Sequence, residues 1–384
     1  MGGDLDKRLF TPGPLTTSPT VKEAMLRDVG SREHEFLDIV VEIRTSLLQL
    51  AGVTKEGGYE AVPLQGSGTF AVESTITTAL PRDGRLLVVS NGAYGDRMAR
   101  IAEIAALPVD LVRTSEDRRI DPRGVARELE RRPGVTHVAA VHCETSTGII
   151  NPIEEIGRVC EAAGRSCIVD SMSGFGALPV DMQAGAVDFL VSSANKCIQG
   201  VPGFSFVLCR RDALLGCEGR SSSLSLDLYD QWQTLEQTGQ FRFTPPTHAM
   251  LAFAQALREL EAEGGPQARG RRYSANQRRL ASGMQAIGFK TVLPEALQGC
   301  VITSFAYPDD HRFDFETFHR RLADHGFVIY PGKLSDVDCF RIGTAGHLFE
   351  DDIDALLEAV SAVATEMGVV PSAETHGTSA PGQA

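Results

Sequence analysis

The sequence predicts an α/β fold: a mostly parallel sheet covered on both faces by helices, followed by a smaller α+β domain. Two observations predict it. From Tyr59 to Arg210 short apolar runs alternate with amphipathic stretches. The runs are almost continuously apolar, the pattern of strands buried on both faces rather than one. Beyond Gly288 the pattern changes to short strands separated by two helical segments.

The elements follow in order. "YEAVPL" reads as a strand and "FAVESTITTAL" as a helix. "RLLVVS", "PVDLVRT" and "THVAAVH" are strands, followed respectively by the helices "YGDRMARIAEIA", "DPRGVARELER" and "PIEEIGRVCEAAG". "SCIVDS", "VDFLVSS" and "FSFVLCR" complete seven buried strands. A long helical region spans His248 to Gly288, with an interruption expected at "EGGPQARG". "CVITSFAYP", "FVIYPG" and "CFRIGT" are the later strands, and "FDFETFHRRLADHG" and "EDDIDALLEAVSAVATEMG" the later helices. The expected division is 16–265 for the large domain and 1–15 with 266–369 for the small one. The tail 370–384, rich in Pro, Gly, Ser and Thr, is expected to be disordered.

Composition narrows the function. A net charge of −13 argues against a nucleic-acid phosphate backbone as partner. No apolar stretch approaches a membrane span, and "MGGDLDKRLF" has no apolar signal core, so a cytoplasmic location is expected. Asp6 also breaks the myristoylation pattern. The eight cysteines are scattered without C-x-x-C spacing, which indicates buried free thiols and no metal site.

Ligands of open α/β sheets bind at the carboxyl ends of the strands, so the residues just after each strand carry the functional signal. After the first strand come Gly66, Ser67, Gly68 and Thr69, opening a helix. Such a turn offers N–H groups, hydroxyls and a positive helix end to a phosphate; a capped glycine turn is the plain structural alternative. After the second strand, Tyr94 lies between two glycines, placed to stack on a planar ligand or to pack at the sheet edge. His142, Glu144, Thr145 and Ser146 cluster after another strand, and Asp170 closes a very apolar one. A carboxylate buried there requires a partner. Lys196 follows the sixth strand in "VSSANKCIQGVPGF", with no charged neighbour from Phe189 to Cys209. It either snorkels to water or lies desolvated as a nucleophile.

Together these residues fit one cofactor. Pyridoxal phosphate requires a lysine that bonds to it, an acid that keeps its ring nitrogen protonated, and a phosphate cup. A dinucleotide site is disfavoured, because Ser90 and Asn91 stand where it needs an acid. The Gly-Lys-Ser/Thr of a P-loop is absent after Gly66. A catalytically silent protein of this fold is disfavoured by Lys196, Asp170 and the cup occurring together.

The motifs "GSREHEF", "QGSGTFAVES", "SNGAYGDR", "HCETSTGIINP", "VDSMSGFGALP", "SSANKCIQGVPGFSFV" and "FRFTPPTH" make the chain resemble the fold-type I, class V pyridoxal-phosphate aminotransferases over nearly its whole length. The resemblance implies a large domain with a seven-stranded sheet, pyridoxal 5′-phosphate as cofactor, and a homodimer with shared active sites. It implies that Lys196 bonds the cofactor and shuttles the proton, and that Asp170 pairs with the ring nitrogen. Ser67, Gly68, Thr69 and Ser193 are implied phosphate ligands, with Thr244 reaching the phosphate of a partner subunit. Tyr94 stacks on the ring, Thr145 lies near its phenolic oxygen, and Arg341 clamps the substrate anion, with Arg32 as a second cation or a helix-start ion pair. The implied activity moves the amino group of 2-aminoethylphosphonate to pyruvate, with alanine– or serine–glyoxylate transamination as the alternative. A cysteine desulfurase is disfavoured, because Asn195 rather than histidine precedes the lysine. Thr344 and Ala345 depart from the Asn-Ile pair expected after "FRIG", which bears on the substrate if that loop touches it.

Overall fold

A computed structural model describes residues 6–334 and 337–369. The tail expected to be disordered lies outside them. Seven strands form the central sheet: β1 Tyr59–Gln65, β2 Leu86–Ser90, β3 Val109–Arg113, β4 His137–Val141, β5 Ser166–Asp170, β6 Phe189–Ser193 and β7 Phe204–Arg210. Their spatial order is β1-β7-β6-β5-β4-β2-β3. The pairs from β6 through β3 are parallel, while β7 runs antiparallel to both β6 and β1. One reversed strand therefore accounts for the mixed character, and the other six send their carboxyl ends to one edge.

Helices cover the sheet because their sequences bury one face. Helix α1, His34–Leu50, buries Phe36, Ile39, Val40, Ile43, Leu47 and Leu48, a helical spacing that the strand-centred reading of the sequence passed over. Helix α2, Gly68–Ala79, and α3, Ala93–Ile104, start directly at the ends of β1 and β2. Helix α4, Pro122–Arg131, is started by the Asp121 carboxylate, which accepts from Arg123 N and Gly124 N, with Pro122 in the first turn. Helix α5, Ile153–Ala162, precedes β5. Phe204, Phe206, Phe253 and Phe175 interlock edge-on beneath the sheet. Truncating one of these rings to alanine costs about 3–5 kcal/mol.

The long helical region is two helices, α6 Thr247–Glu263 and α7 Gly265–Ile287. The break is shorter than expected: Gly264 and Gly265, at φ +101° and +78°, make the turn alone, and "PQARG" is already helical. Positive φ at both positions suits only glycine.

The carboxyl-terminal layer contains the antiparallel sheet β8 Ile302–Ala306, β9 Tyr330–Pro331 and β10 Cys339–Gly343, in the order β8-β10-β9. Helices α8, Phe315–Asp324, and α9, Glu350–Glu366, are the two expected there. Phe289, Phe305, Phe318 and Phe340 form its aromatic centre. The N-terminal segment is built into this layer: Arg8–Leu9 pairs with Phe327–Val328, and Gly343 N donates to Phe10 O at 2.8 Å. That segment then passes from the layer to the edge of the large sheet.

Candidate active site

The carboxyl ends of β1, β2, β5 and β6 meet around a cavity of about 200 Å³. Ser67, Gly68, Thr69, Tyr94, Asp170, Ser193 and Lys196 line it. Seven of the eleven residues singled out in the sequence thus share one cavity. Thr145 and Arg341 adjoin it: the Arg341 guanidinium donates from Nη1 to Thr145 O at 2.8 Å and from Nε to Pro331 O at 2.9 Å. Arg32 and Thr244 are exposed and do not line it. The ion pair near the start of α1 is Arg27–Glu35, not one made by Arg32. The Thr244 carbonyl accepts from Gln65 Nε2 at 3.2 Å, which ties that segment to the strand leading into the Gly66–Thr69 turn.

Burial shapes the two central charges. Desolvation lowers the pKa of Lys196, which favours the neutral, nucleophilic amine. Its Nζ donates to Pro12 O at 2.9 Å. Desolvation raises the Asp170 carboxyl to about 6, against an opposing hydrogen bond from Met172 N at 2.9 Å. A cation beside Asp170 would reverse that shift. His142, behind it, is pushed down to about 4 by burial and pairs through Nδ1 with Ser171 Oγ at 2.8 Å.

The fully buried Glu144 sets the start of α3. Its carboxylate accepts from the Tyr94 and Gly95 N–H groups at 3.2 and 3.4 Å, and from Ser146 N and Oγ at 3.1 and 2.6 Å. Those are unpaired donors of a helix N-terminus, satisfied by an acid from another strand end. The 144–147 turn is gripped from the other side as well, where Ser304 Oγ donates toward the carbonyls of Ser146 and Thr147.

The residues present fit pyridoxal phosphate. Ser193 Oγ is buried in the cavity wall without a hydrogen-bond partner, an orphan that a phosphate oxygen would satisfy. Gly68 opens α2, and a Cβ there would lie 2.2 Å from Met172 Sδ, so a larger residue on that side of the cup would have to displace the methionine side chain. A desolvated lysine and a buried acid supply the other two requirements.

Sequence reasoning missed two cations. Arg97 lies one turn after Tyr94 on α3; its guanidinium carbon is 4.8 Å from the Tyr94 ring centroid and Nη1 donates to Thr69 Oγ1 at 3.2 Å. The i, i+3 spacing was the available signal. Lys333 Nζ lies 4.2 Å from the same ring centroid, a contact 239 positions apart in sequence that no local pattern announces. The Thr344–Ala345 departure is turned away from the cavity. Thr344 Oγ1 donates to Cys300 O at 2.8 Å, and Ala345 packs beside Leu15 and Tyr273.

Comparison with known proteins gives the family. The profile of the aminotransferase class-V family matches residues 20–332. The chain belongs to the class-V aminotransferases. A 2-aminoethylphosphonate–pyruvate transaminase of Syntrophobacter fumaroxidans is 54% identical over 91% of this chain and 94% of its own. The enzyme of that name from Klebsiella pneumoniae is 51% identical over 92% of this chain and 96% of its own. Among solved structures, ureidoglycine–glyoxylate aminotransferase from Bacillus subtilis superposes with a TM-score of 0.87 at 23% identity, covering 96% of this chain and 95% of that one. The cofactor of this class-V aminotransferase is pyridoxal 5′-phosphate. Among the described residues no helix is long and apolar enough to cross a membrane.

Proposed function

We propose that this class-V aminotransferase moves the amino group of 2-aminoethylphosphonate to pyruvate, giving phosphonoacetaldehyde and L-alanine in phosphonate catabolism. The observation that carries the reading is the meeting of Lys196, Asp170 and the Ser67–Thr69 turn in one cavity, in a chain half-identical to relatives bearing that activity in their names.

Pyridoxal phosphate, when bound, supplies an electron sink for the carbon that bears the amine. Lys196 would hold it covalently and, once freed as an amine, would carry the proton from the substrate carbon to the cofactor in the first half-reaction and in the reverse direction in the second. Burial lowers the pKa of that amine, which favours the unprotonated form a base requires. Asp170 would hold the ring nitrogen in its protonated state. Ser67, Gly68, Thr69 and Ser193 would take the phosphate, with Tyr94 against the ring and Thr145 near its phenolic oxygen. Arg341, braced by two carbonyls, presents its remaining nitrogen to the substrate anion.

A cytoplasmic homodimer accompanies this reading. The exposed apolar side chains of Leu26, Val41, Phe70 and Phe243 support a partner subunit, as does Thr244, exposed next to Phe243 and outside its own cavity. Arg32 is the other residue a partner would bring into use.

The test is the absorbance of the holoenzyme with each amine. A visible Schiff-base band that bleaches with 2-aminoethylphosphonate and returns with pyruvate establishes donor and acceptor. Bleaching with L-alanine or serine but not the phosphonate, and return with glyoxylate, replaces the reading with glyoxylate transamination.

A further inference from the structure

A phosphonate carries up to two negative charges, and one guanidinium balances one of them. The side of the site facing the carboxyl-terminal layer offers a second cation. Arg341 lies on β10, paired with Tyr330 of β9, and its Nε is anchored on the Pro331 carbonyl. Lys333 follows two residues later on the same connection, so the strand pair that fixes Arg341 also fixes the root of Lys333. The Lys333 ammonium lies 4.2 Å from the centroid of the Tyr94 ring, and Tyr94 lines the cavity. Arg341 has two of its nitrogens on backbone carbonyls, and Nη2 has no acceptor among the described residues.

We propose that Lys333 is the second cation of the substrate clamp and, with Arg341, selects a doubly charged phosphonate over a singly charged carboxylate. This rests on the donor assigned above.

Three observations support Lys333 over the other basic residues. Arg97 also lies against the Tyr94 ring but is hydrogen-bonded to Thr69 at the cup. Arg32 is exposed and, unlike Lys333, makes no contact with a residue that lines the cavity among the described residues. Lys333 is the charge felt most strongly at the Tyr94 hydroxyl: burial alone would raise that group, yet it is lowered, by Lys333 first and then by Thr145, Lys196 and Arg341. Leaving Lys196 aside, two cations, Lys333 and Arg341, therefore converge on one phenol, more than a monocarboxylate requires. A lysine at this point acts as a movable point charge on a tetrahedral anion, while the planar Arg341 fork fixes its direction.

The test uses spectral titration of the holoenzyme with 2-aminoethylphosphonate and, separately, with L-alanine, in wild type, Lys333→Met and Lys333→Arg. Loss of one charge-assisted contact predicts that Lys333→Met weakens the phosphonate by about tenfold or more relative to its effect on L-alanine, with most of the loss restored in Lys333→Arg. An equal loss with both amines makes Lys333 a brace on Tyr94 and overturns the assignment. No loss with either amine overturns it too. Wild-type enzyme that responds to L-alanine but not to the phosphonate overturns the donor reading, and this inference with it.

Discussion

Lys196 Nζ donates to the Pro12 carbonyl oxygen at 2.9 Å, so the N-terminal segment closes directly over the lysine. The next residue is Gly13, at φ +131°, where a Cβ would lie 2.7 Å from both Cδ and Nζ of Lys196. Gly13→Ala is therefore expected to push the lysine from its position. Strain at such a φ adds about 1–3 kcal/mol of destabilisation. Steady-state kinetics should show kcat reduced at least about tenfold, as small displacements of a catalytic group do. An unchanged kcat would show that the lysine is not held by this segment.

Ser193→Ala separates binding from folding. The Ser193 hydroxyl is an unpartnered buried group in the cofactor-free protein, so its removal leaves thermal stability unchanged or slightly higher. The same change removes one phosphate contact, and equilibrium titration with pyridoxal phosphate should show affinity lowered roughly three- to tenfold. A lower melting temperature with unaltered cofactor affinity would remove Ser193 from the cup.

Asp170 makes the cofactor-free protein pH-sensitive in an unusual direction. Its folded-state carboxyl titrates near 6, above the ordinary 3.8, because burial opposes its charge. Between those values the folded chain holds a proton that the unfolded chain has released, so Asp170 costs stability as pH rises through this window. A shift of about two units corresponds to about 3 kcal/mol, fully expressed above pH 6. Asp170→Asn should therefore stabilise the cofactor-free protein at pH 7, measured by urea unfolding, while abolishing transamination. Equal stability of the two proteins at pH 7 would refute the raised pKa.

His137 and His142 act with the opposite sign. Burial holds both near 4, whereas unfolded histidine titrates near 6.5. Across that window the unfolded chain binds more protons, so stability falls as pH drops from 6.5 towards 4. Replacing His142 by Gln should flatten this part of the curve. A slope that persists undiminished in His142→Gln would show that His142 does not stay neutral.

The strand ends were legible because the buried strands stop at or just before polar residues, and Asp170 and Lys196 stood out as charges near strand ends in very apolar surroundings. The meeting of Ser67, Tyr94, Asp170 and Lys196 followed from the parallel order of the strands. Less was legible where function depends on contacts distant in sequence. Glu144 reads locally as one polar residue in a turn; only the folded chain shows it capping α3 through Tyr94 and Gly95. Lys333 reads as a loop residue until β9 and β10 pair and carry it to Tyr94. Helix α1 and the helix Leu228–Thr238 were overlooked although their patterns are amphipathic, because the strand–helix alternation that organised the reading begins only at Tyr59.

The eight cysteines, all free and all buried, give this chain a property of practical use. Burial pushes the Cys143, Cys197 and Cys209 thiols upward, and a hydrogen bond with Cys160 together with burial does so for Cys167, so the reactive thiolate is scarce as well as screened from solvent. A thiol-modifying dye added to the native enzyme then reports only molecules that have opened. Cys197 adjoins Lys196, Cys300 lies under the Thr344 turn and Cys339 begins β10, so the order in which they label would map which part of the protein loosens first. The same silence makes the wild-type chain a clean background for a single engineered fluorophore.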